Sequence, residues 1–314
     1  MQSGLILVTG ANGFVGRHVC RFLVERGYGV RGTVRGPAPE PEDGIEYATS
    51  GDIGPETDWR SHLEQVEAVV HAAGRAHVRP VGDAEAMAAY RRINAEASVR
   101  LARQSADIGV RRFVFLSSIK AGEAERHPSA PDLGPYELSK LEAERALSEV
   151  AQETGLELVV LRPPLVYGPD AAANFALLAR AVAKGLPLPL GSIRNRRSFI
   201  YVGNLCSAIM ACLEHPQAPG GVFEPSDGPA VSTPEFVRAI GRGLGRPARL
   251  LPCPPALVRA LVRALGRGAA AESLTRDLVA EDGPIHDRLG WQAPLSLDQA
   301  MAATFAARTA AEAS

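Results

Sequence analysis

Tyr136 and Lys140 stand four residues apart in Tyr136-Glu137-Leu138-Ser139-Lys140, at the start of a stretch that reads as a helix. At that spacing two side chains share a helix face, one turn from each other. An ammonium beside a phenol favours the phenolate, so the pair can serve as an acid or base near neutral pH. With six tyrosines and only Lys120, Lys140 and Lys184 as lysines, such a pair arises by chance in roughly 6% of sequences of this composition, so its meaning depends on placement. The pair follows Arg112 to Ser118, an apolar run that reads as a strand and ends in two hydroxyls, Ser117 and Ser118. In open α/β sheets ligands bind at the carboxyl ends of strands, near the point where strand order reverses. A hydroxyl from that strand and the Tyr/Lys pair from the next helix can therefore converge on one substrate oxygen.

The second chemical cluster lies at the N-terminus. Leu5-Ile6-Leu7-Val8 has strand length and runs into Thr9-Gly10-Ala11-Asn12-Gly13-Phe14-Val15-Gly16, and Arg17 to Gly27 reads as a helix. A buried strand, a glycine turn and a helix N-terminus form a dinucleotide site: Gly10 permits the turn, Gly13 admits the pyrophosphate, and Gly16 lets helix and strand pack. The glycines are spaced three and three, not two and three as in the general fingerprint. The competing reading is a left-handed turn of purely structural use.

The elements that must position these groups alternate. Tyr28 to Val34, Ile45 to Ala48, Ala68 to Ala73 and Leu158 to Arg162 read as further strands. Trp59 to Gln65, Ala84 to Gly109 and Tyr136 to Thr154 read as helices. This is the pattern of an α/β, Rossmann-type, doubly wound parallel sheet. From Pro163 the composition shifts to Pro/Gly-broken segments. The expected organisation is a dinucleotide-binding domain over 1–166, rejoined by 198–224, and a smaller α+β substrate domain over 167–314.

Bulk composition excludes several classes. The 314 residues carry a net charge of −1, which gives no electrostatic case for nucleic acid or a membrane surface. Cys20, Cys206, Cys212 and Cys253 lie far apart, which argues against a metal site or a disulfide scaffold. Apolar runs stay shorter than the roughly 18 residues of a membrane helix, and strand one begins too early for a signal peptide. The expectation is a cytoplasmic protein.

The glycine motif, Gly51-Asp52-Ile53, His71-Ala72-Ala73-Gly74, Asn94, Ser117-Ser118, Tyr136/Lys140 and Arg162-Pro163-Pro164-Leu165-Val166-Tyr167-Gly168-Pro169 come in an order that resembles the extended short-chain dehydrogenase/reductases, the NAD-dependent epimerase/dehydratase family acting on nucleotide sugars. The resemblance runs from about residue 4 to Trp291. Within the family, Phe115-Leu116-Ser117-Ser118-Ile119-Lys120 and Asn195-Arg196-Arg197-Ser198-Phe199-Ile200-Tyr201-Val202 most resemble the UDP-sugar 4-epimerases and 4-keto reductases of surface-polysaccharide synthesis.

The resemblance implies roles. Ser118 would bond the sugar C4 oxygen, Tyr136 would exchange its proton, and Lys140 would lower the tyrosine pKa and hold the nicotinamide ribose. Cofactor contacts would come from Gly10, Asn12, Gly13, Phe14, Val15, Gly16, Asp52, Ile53, Ala72, Ala73, Gly74, Asn94, Ser117, Pro163 and Val166. Arg197 would clamp the substrate diphosphate, and Asn174 would bind the same nucleotide. Arg75 and His77 are candidates for the sugar pocket, against the plainer reading of solvated loop residues. A homodimer built on the two long helices is also implied.

Two local features refine this. The family's dehydratases carry an Asp-Glu pair after the catalytic hydroxyl, and here Ile119 and Lys120 stand there, so 4,6-dehydration is rejected. An NAD enzyme usually ends its second strand on an acid. Here Val34 holds that place and Arg35 follows, which favours NADP slightly over NAD. Epimerase and 4-keto reductase remain open, as do two alternatives on the same scaffold: a reductase of a non-sugar ketone, and a non-catalytic dinucleotide sensor.

Overall fold

The computed structural model describes residues 3–75, 83–129, 133–171, 173–264 and 274–312. By its contacts the chain forms two compact units. The first comprises Met1–Pro163, Cys206–Glu224 and Gly283–Trp291; the second comprises Pro164–Leu205, Pro225–Asp282 and Gln292–Ser314.

In the first unit the chain runs β1 (Ser3–Thr9), α1 (Phe14–Val24), β2 (Tyr28–Val34), β3 (Ile45–Thr49), α2 (Arg60–Leu63), β4 (Val66–His71) and α3 (Asp83–Arg91). A π-helical turn, Arg92–Glu96, leads into α4 (Ala97–Ile108), followed by β5 (Arg112–Leu116), α5 (Ile119–Arg126), α6 (Pro135–Thr154) and β6 (Glu157–Leu161). The second unit contributes β7 (Leu165–Tyr167), α7 (Ala173–Ala183) and β8 (Phe199–Tyr201), which leads into α8 (Val202–Glu214). Then come β9 (Val222–Phe223), α9 (Thr233–Gly243), α10 (Pro255–Ala264), α11 (Gly283–Leu289) and α12 (Leu297–Glu312).

Seven strands form one parallel sheet in the order β3-β2-β1-β4-β5-β6-β9. The order reverses between β1 and β4, so the crevice at their carboxyl ends is the switch point of the fold. Parallel strands covered on both faces read as continuous apolar runs, and β5 is buried at every position. Leu7, Val69, Phe113, Phe115, Trp59, Leu101 and Leu147 join in one core beneath the sheet. Each large side chain buried this way contributes about 1.5–3 kcal/mol.

The second unit has its own core, in which Phe199 and Phe236 stack at 3.7 Å and Tyr167, Phe175 and Phe305 join them. Its two-stranded sheet pairs β7 with β8.

Four boundaries depart from the sequence expectation. The first helix begins at Phe14, three residues early, because Gly13 caps it with extended backbone. The fifth strand stops at Leu116, because Ser118 leaves the sheet to cap α5, a helix that the polar run Lys120–Arg126 had concealed. The fourth strand is shifted two residues back, to Val66–His71, so Ala72 and Ala73 lie past its end. The long helix expected over Ala84–Gly109 is broken by the π-helical turn, which adds one residue to a turn and is common beside functional sites.

Candidate active site

Strand β1 ends at Thr9, and Gly10 turns the chain with φ +69°. A Cβ on Gly10 would lie 3.0 Å from the Ala73 Cα, and one on Gly16 only 2.2 Å from the Gly10 carbonyl oxygen. The Gly13 amide donates to the Gly10 carbonyl at 2.9 Å, and the Arg17 amide makes the first bond of α1, onto the Gly13 carbonyl at 3.0 Å. Ahead of it, the amides of Phe14, Val15 and Gly16 have no helical carbonyl to reach. No side chain caps this end and no acid stands in its first turn. Three unclaimed donors at the positive end of a helix dipole suit a phosphate.

The turn borders an open cleft of about 800 Å³, lined by Gly10, Asn12, Gly13, Arg35, Asp52, Ile53, Ala72, Ala73, Gly74 and Arg75 together with Thr33, Ser50, Gly51, Glu56, Ala89, Arg92 and Ile93. Glu56 and Arg92 pair at 2.6 Å on its rim. Neither was expected from sequence, because an isolated acid and a helix arginine carry no motif. At the end of β2 Val34 is buried, while Arg35 is exposed with its Nε 3.8 Å from Asp52 Oδ1. The cradle, its donors and the cleft volume fit a dinucleotide.

Ser118 caps α5 with its hydroxyl, which accepts from the Lys120 amide at 3.2 Å. Tyr136 follows Pro135 in the first turn of α6, where proline is preorganised for the helix. The Ser118 hydroxyl faces the Tyr136 phenol closely enough to favour its charged form, and the Tyr90 ring meets Tyr136 edge-on at 6.0 Å. Burial pushes the Tyr136 phenol up to about 12, against the opposing effect of the Ser118 hydroxyl.

Lys140 is buried. Its ammonium donates to the Leu116 carbonyl at 2.8 Å and lies 4.6 Å above the Phe115 ring. Burial brings it down to about 8, opposed by the charge of Glu144. A Cβ on Gly74 would sit 3.3 Å from both the Lys140 ammonium and Asn94 Oδ1, so these groups converge on the cleft wall. The phenol that sequence reasoning expected to be eased toward phenolate is held in the protonated form, because desolvation of the ring dominates here.

Asn94 lies on the π-helical turn and is buried. Its Oδ1 accepts from the Arg75 amide at 2.8 Å, and its Nδ2 donates to the Arg75 carbonyl at 3.1 Å and to Ser139 Oγ at 3.0 Å. The Ser117 hydroxyl donates to buried Glu144, which also accepts from Arg162 Nε at 3.0 Å. Ser117 is thereby tied into the network under the site. The Pro163 carbonyl accepts from the Ile119 amide at 3.1 Å. Ile119 is buried, and Lys120 forms an ion pair with Glu137.

In the second unit Val166 is half-buried on β7 and Asn174 is exposed on α7. Arg197 is buried, its backbone bridges Val231 and Leu278, and its guanidinium donates to the Arg276 carbonyl at 3.2 Å. His77 lies outside the described residues. Among the described residues no group of three His, Cys, Asp or Glu side chains is placed to hold a metal ion, and no helix is long and apolar enough to cross a membrane.

Comparison with known proteins places these features in context. Residues 6–224 match the model of the NAD dependent epimerase/dehydratase family. A UDP-glucose 4-epimerase from Vibrio cholerae is 39% identical over 307 residues, 94% of this chain and 92% of its own length. Among solved structures, UDP-N-acetylglucosamine 4-epimerase from Bacillus cereus superposes with a TM-score of 0.77 at 20% identity, covering 98% of this chain and 100% of that one. MoeE5 in complex with UDP-glucuronic acid and NAD has a TM-score of 0.75 at 25% identity, with 98% and 100% covered.

Proposed function

This chain belongs to the NAD dependent epimerase/dehydratase family, and we propose that it is a nucleotide-sugar oxidoreductase acting at C4 of a UDP-hexose, working as a 4-epimerase. The observation that carries this reading is the convergence of Ser118 and Tyr136 on one hydroxyl pair, next to a cleft wall touched by Lys140 and Asn94. A relative named UDP-glucose 4-epimerase, matched over 94% of the chain, supports it.

When bound, a nicotinamide dinucleotide supplies a hydride acceptor and donor for the sugar carbon, and its oxidised ring adds positive charge. The amides of Phe14, Val15 and Gly16 would hold its pyrophosphate, with Asp52 and Ile53 at the adenosine end and Lys140 at the nicotinamide ribose. Ser118 donates to the C4 oxygen and fixes its place. Tyr136 takes the hydroxyl proton as hydride leaves C4, and returns it as hydride comes back to the opposite face. A phenol at about 12 holds its proton at neutral pH, so it is primed for the reductive half, while the oxidative half needs nearby positive charge to ease it. Arg197 and Asn174 are our candidates for the diphosphate and nucleotide. Elimination of the C6 hydroxyl is not part of this chemistry, since Ile119 has no proton to give and Lys120 is engaged with Glu137.

A second reading has one observation in its favour. Val34 stands at the end of β2 where an acid is usual and Arg35 follows it, lining the cleft, which suits a 2′-phosphate and hence a 4-keto reductase using NADPH as a dissociable cosubstrate. Nucleotide released on denaturation, identified and counted by mass spectrometry, separates the two. Near-stoichiometric NAD, with C4 epimers and no dehydrated sugar among the products, is expected. An empty protein that oxidises NADPH with a UDP-4-keto sugar would overturn the epimerase reading in favour of the reductase. The roles in surface-polysaccharide precursor synthesis, in the cytoplasm and as a homodimer are parts of the same proposal; sedimentation at micromolar concentration should give twice the chain mass, and a monomer would remove the last of them.

A further inference from the structure

His71 is wholly buried at the carboxyl end of β4 and takes no part in the chemistry above. Its two ring nitrogens join two separate hydrogen-bonded holders of the cleft wall. Nδ1 lies 2.7 Å from Thr9 Oγ1, and Nε2 lies 2.8 Å from Ser98 Oγ. Thr9 Oγ1 accepts from the Ala73 amide at 3.0 Å. Ser98 Oγ donates to the Asn94 carbonyl at 2.8 Å, and the Asn94 side chain clasps both the amide and the carbonyl of Arg75. The β1–β4 ladder stops at Thr9 and His71, so Ala72 to Arg75 run past the sheet and line the cleft. Their register rests on these side chains.

The directions of the bonds are determined. A carbonyl only accepts, so the single Ser98 proton goes to Asn94, and Nε2 of His71 must donate to Ser98. A neutral ring then has a bare Nδ1, which accepts the Thr9 proton. We propose that His71 is a positioning residue for the dinucleotide cleft, acting as a neutral Nε2–H imidazole that locks Thr9 to Asn94 and so frames Ala72 to Arg75 between them. The frame matters at this spot because Gly10 passes so close to Ala73 that even a Cβ would crowd it. It also reaches the acid–base group: Asn94 Nδ2 donates to Ser139 Oγ, which donates to the Tyr136 carbonyl at 2.8 Å. The Phe113 and Phe115 rings flank the imidazole at 5.9 and 5.8 Å, and Lys140 is the charge whose field reaches it. Burial first, and that charge second, pull His71 down to about 3, which agrees with a neutral ring.

The inference rests on the reading of the cleft as a dinucleotide site, and the test has two arms that fail separately. Nitrogen chemical shifts of His71, assigned by its loss in His71→Gln, should show the Nε2–H tautomer with no titration from pH 9 to 5. In the second arm NADH dissociation constants are measured for wild type, Ser98→Ala, His71→Phe and His71→Gln. The expected result is at least tenfold weaker binding for Ser98→Ala and His71→Phe, no further loss when the two are combined, and substantial recovery in His71→Gln, whose amide can accept and donate in the same places. An Nδ1–H or charged ring at pH 7 overturns the proposal. So does wild-type affinity in a folded His71→Phe whose midpoint alone has fallen. A wild-type protein that binds neither NADH nor NADPH would overturn the dinucleotide reading, and the tautomer arm would still judge the hydrogen-bond frame.

Discussion

Lys140 concentrates the electrostatics of the site in one residue. Its ammonium is buried against the Leu116 carbonyl and the Phe115 ring, and burial brings it down to about 8 from the ordinary 10.5. Between pH 8 and 10.5 the unfolded chain keeps a proton that the folded chain has lost, so folding stability rises with pH across that window. Below pH 8 the full cost of the buried charge applies, on the order of 3 kcal/mol. Catalysis has the opposite sign, because the ammonium assigned to the ribose and the phenol disappears above pH 8. We therefore expect kcat/KM of the wild type to fall as pH passes about 8. Over the same range the melting temperature of Lys140→Met should lose ground to wild type. A gap independent of pH would show that the lysine charge carries no burial cost.

At the scale of elements, α6 is tied to β6 by a buried ion pair. Arg162 Nη2 meets Glu144 Oε2 at 2.5 Å and Glu125 at 2.7 Å, and Glu144 also receives the Ser117 hydroxyl at the end of β5. One network thus holds the strand that delivers Ser118 and the helix that carries Tyr136 and Lys140. Removing one partner of a buried pair leaves an uncompensated charge, which costs about 3–5 kcal/mol, whereas apolar replacement of both can be near neutral. Arg162→Met should lower the unfolding free energy obtained from urea denaturation by an amount in that range, and Arg162→Met combined with Glu144→Leu should recover much of it. Equal losses in the single and double variants would show that the stranded carboxylate is not the cause. The same elements show why local reading failed in places. The π-helical turn that turns Asn94 toward Arg75 has no composition signal, since Arg92-Ile93-Asn94-Ala95-Glu96 reads as ordinary helix.

For the whole molecule, the proposed substrate class has a consequence that does not require turnover. A ligand that binds only the folded chain stabilises it by mass action, by about 2.7 kcal/mol at a hundred times its dissociation constant. UDP should raise the melting temperature in proportion to the logarithm of its concentration, and uridine alone should do so far less if a diphosphate clamp such as Arg197 is used. A melting temperature indifferent to UDP would favour a non-sugar ketone as substrate.

The alternation of apolar runs with helical stretches by itself determined the parallel α/β sheet, because strands buried on both faces must be apolar throughout and their crossovers must be helices. Gly10, Gly13 and Gly16 marked the phosphate cradle: Gly10 turns at φ +69°, a Cβ on Gly16 would lie 2.2 Å from a backbone oxygen, and one on Gly13 would be crowded at 3.1 Å. Both signals are local, written in spacing and side-chain size. Desolvation and directed hydrogen bonds are not local. Tyr136 and Lys140 were visible as a pair, but their protonation depends on how deeply the surrounding sheet and helices bury them. The bond from the Ser117 hydroxyl to Glu144 has no local signal, because only packing against α6 brings the two together. His71 looked like one letter of a motif, and only the meeting of β1, β4 and α4 made it a link between Thr9 and Ser98. Residues 62 and 27 positions apart in the chain set its tautomer, a choice that exists only once the tertiary structure has brought them to its two sides.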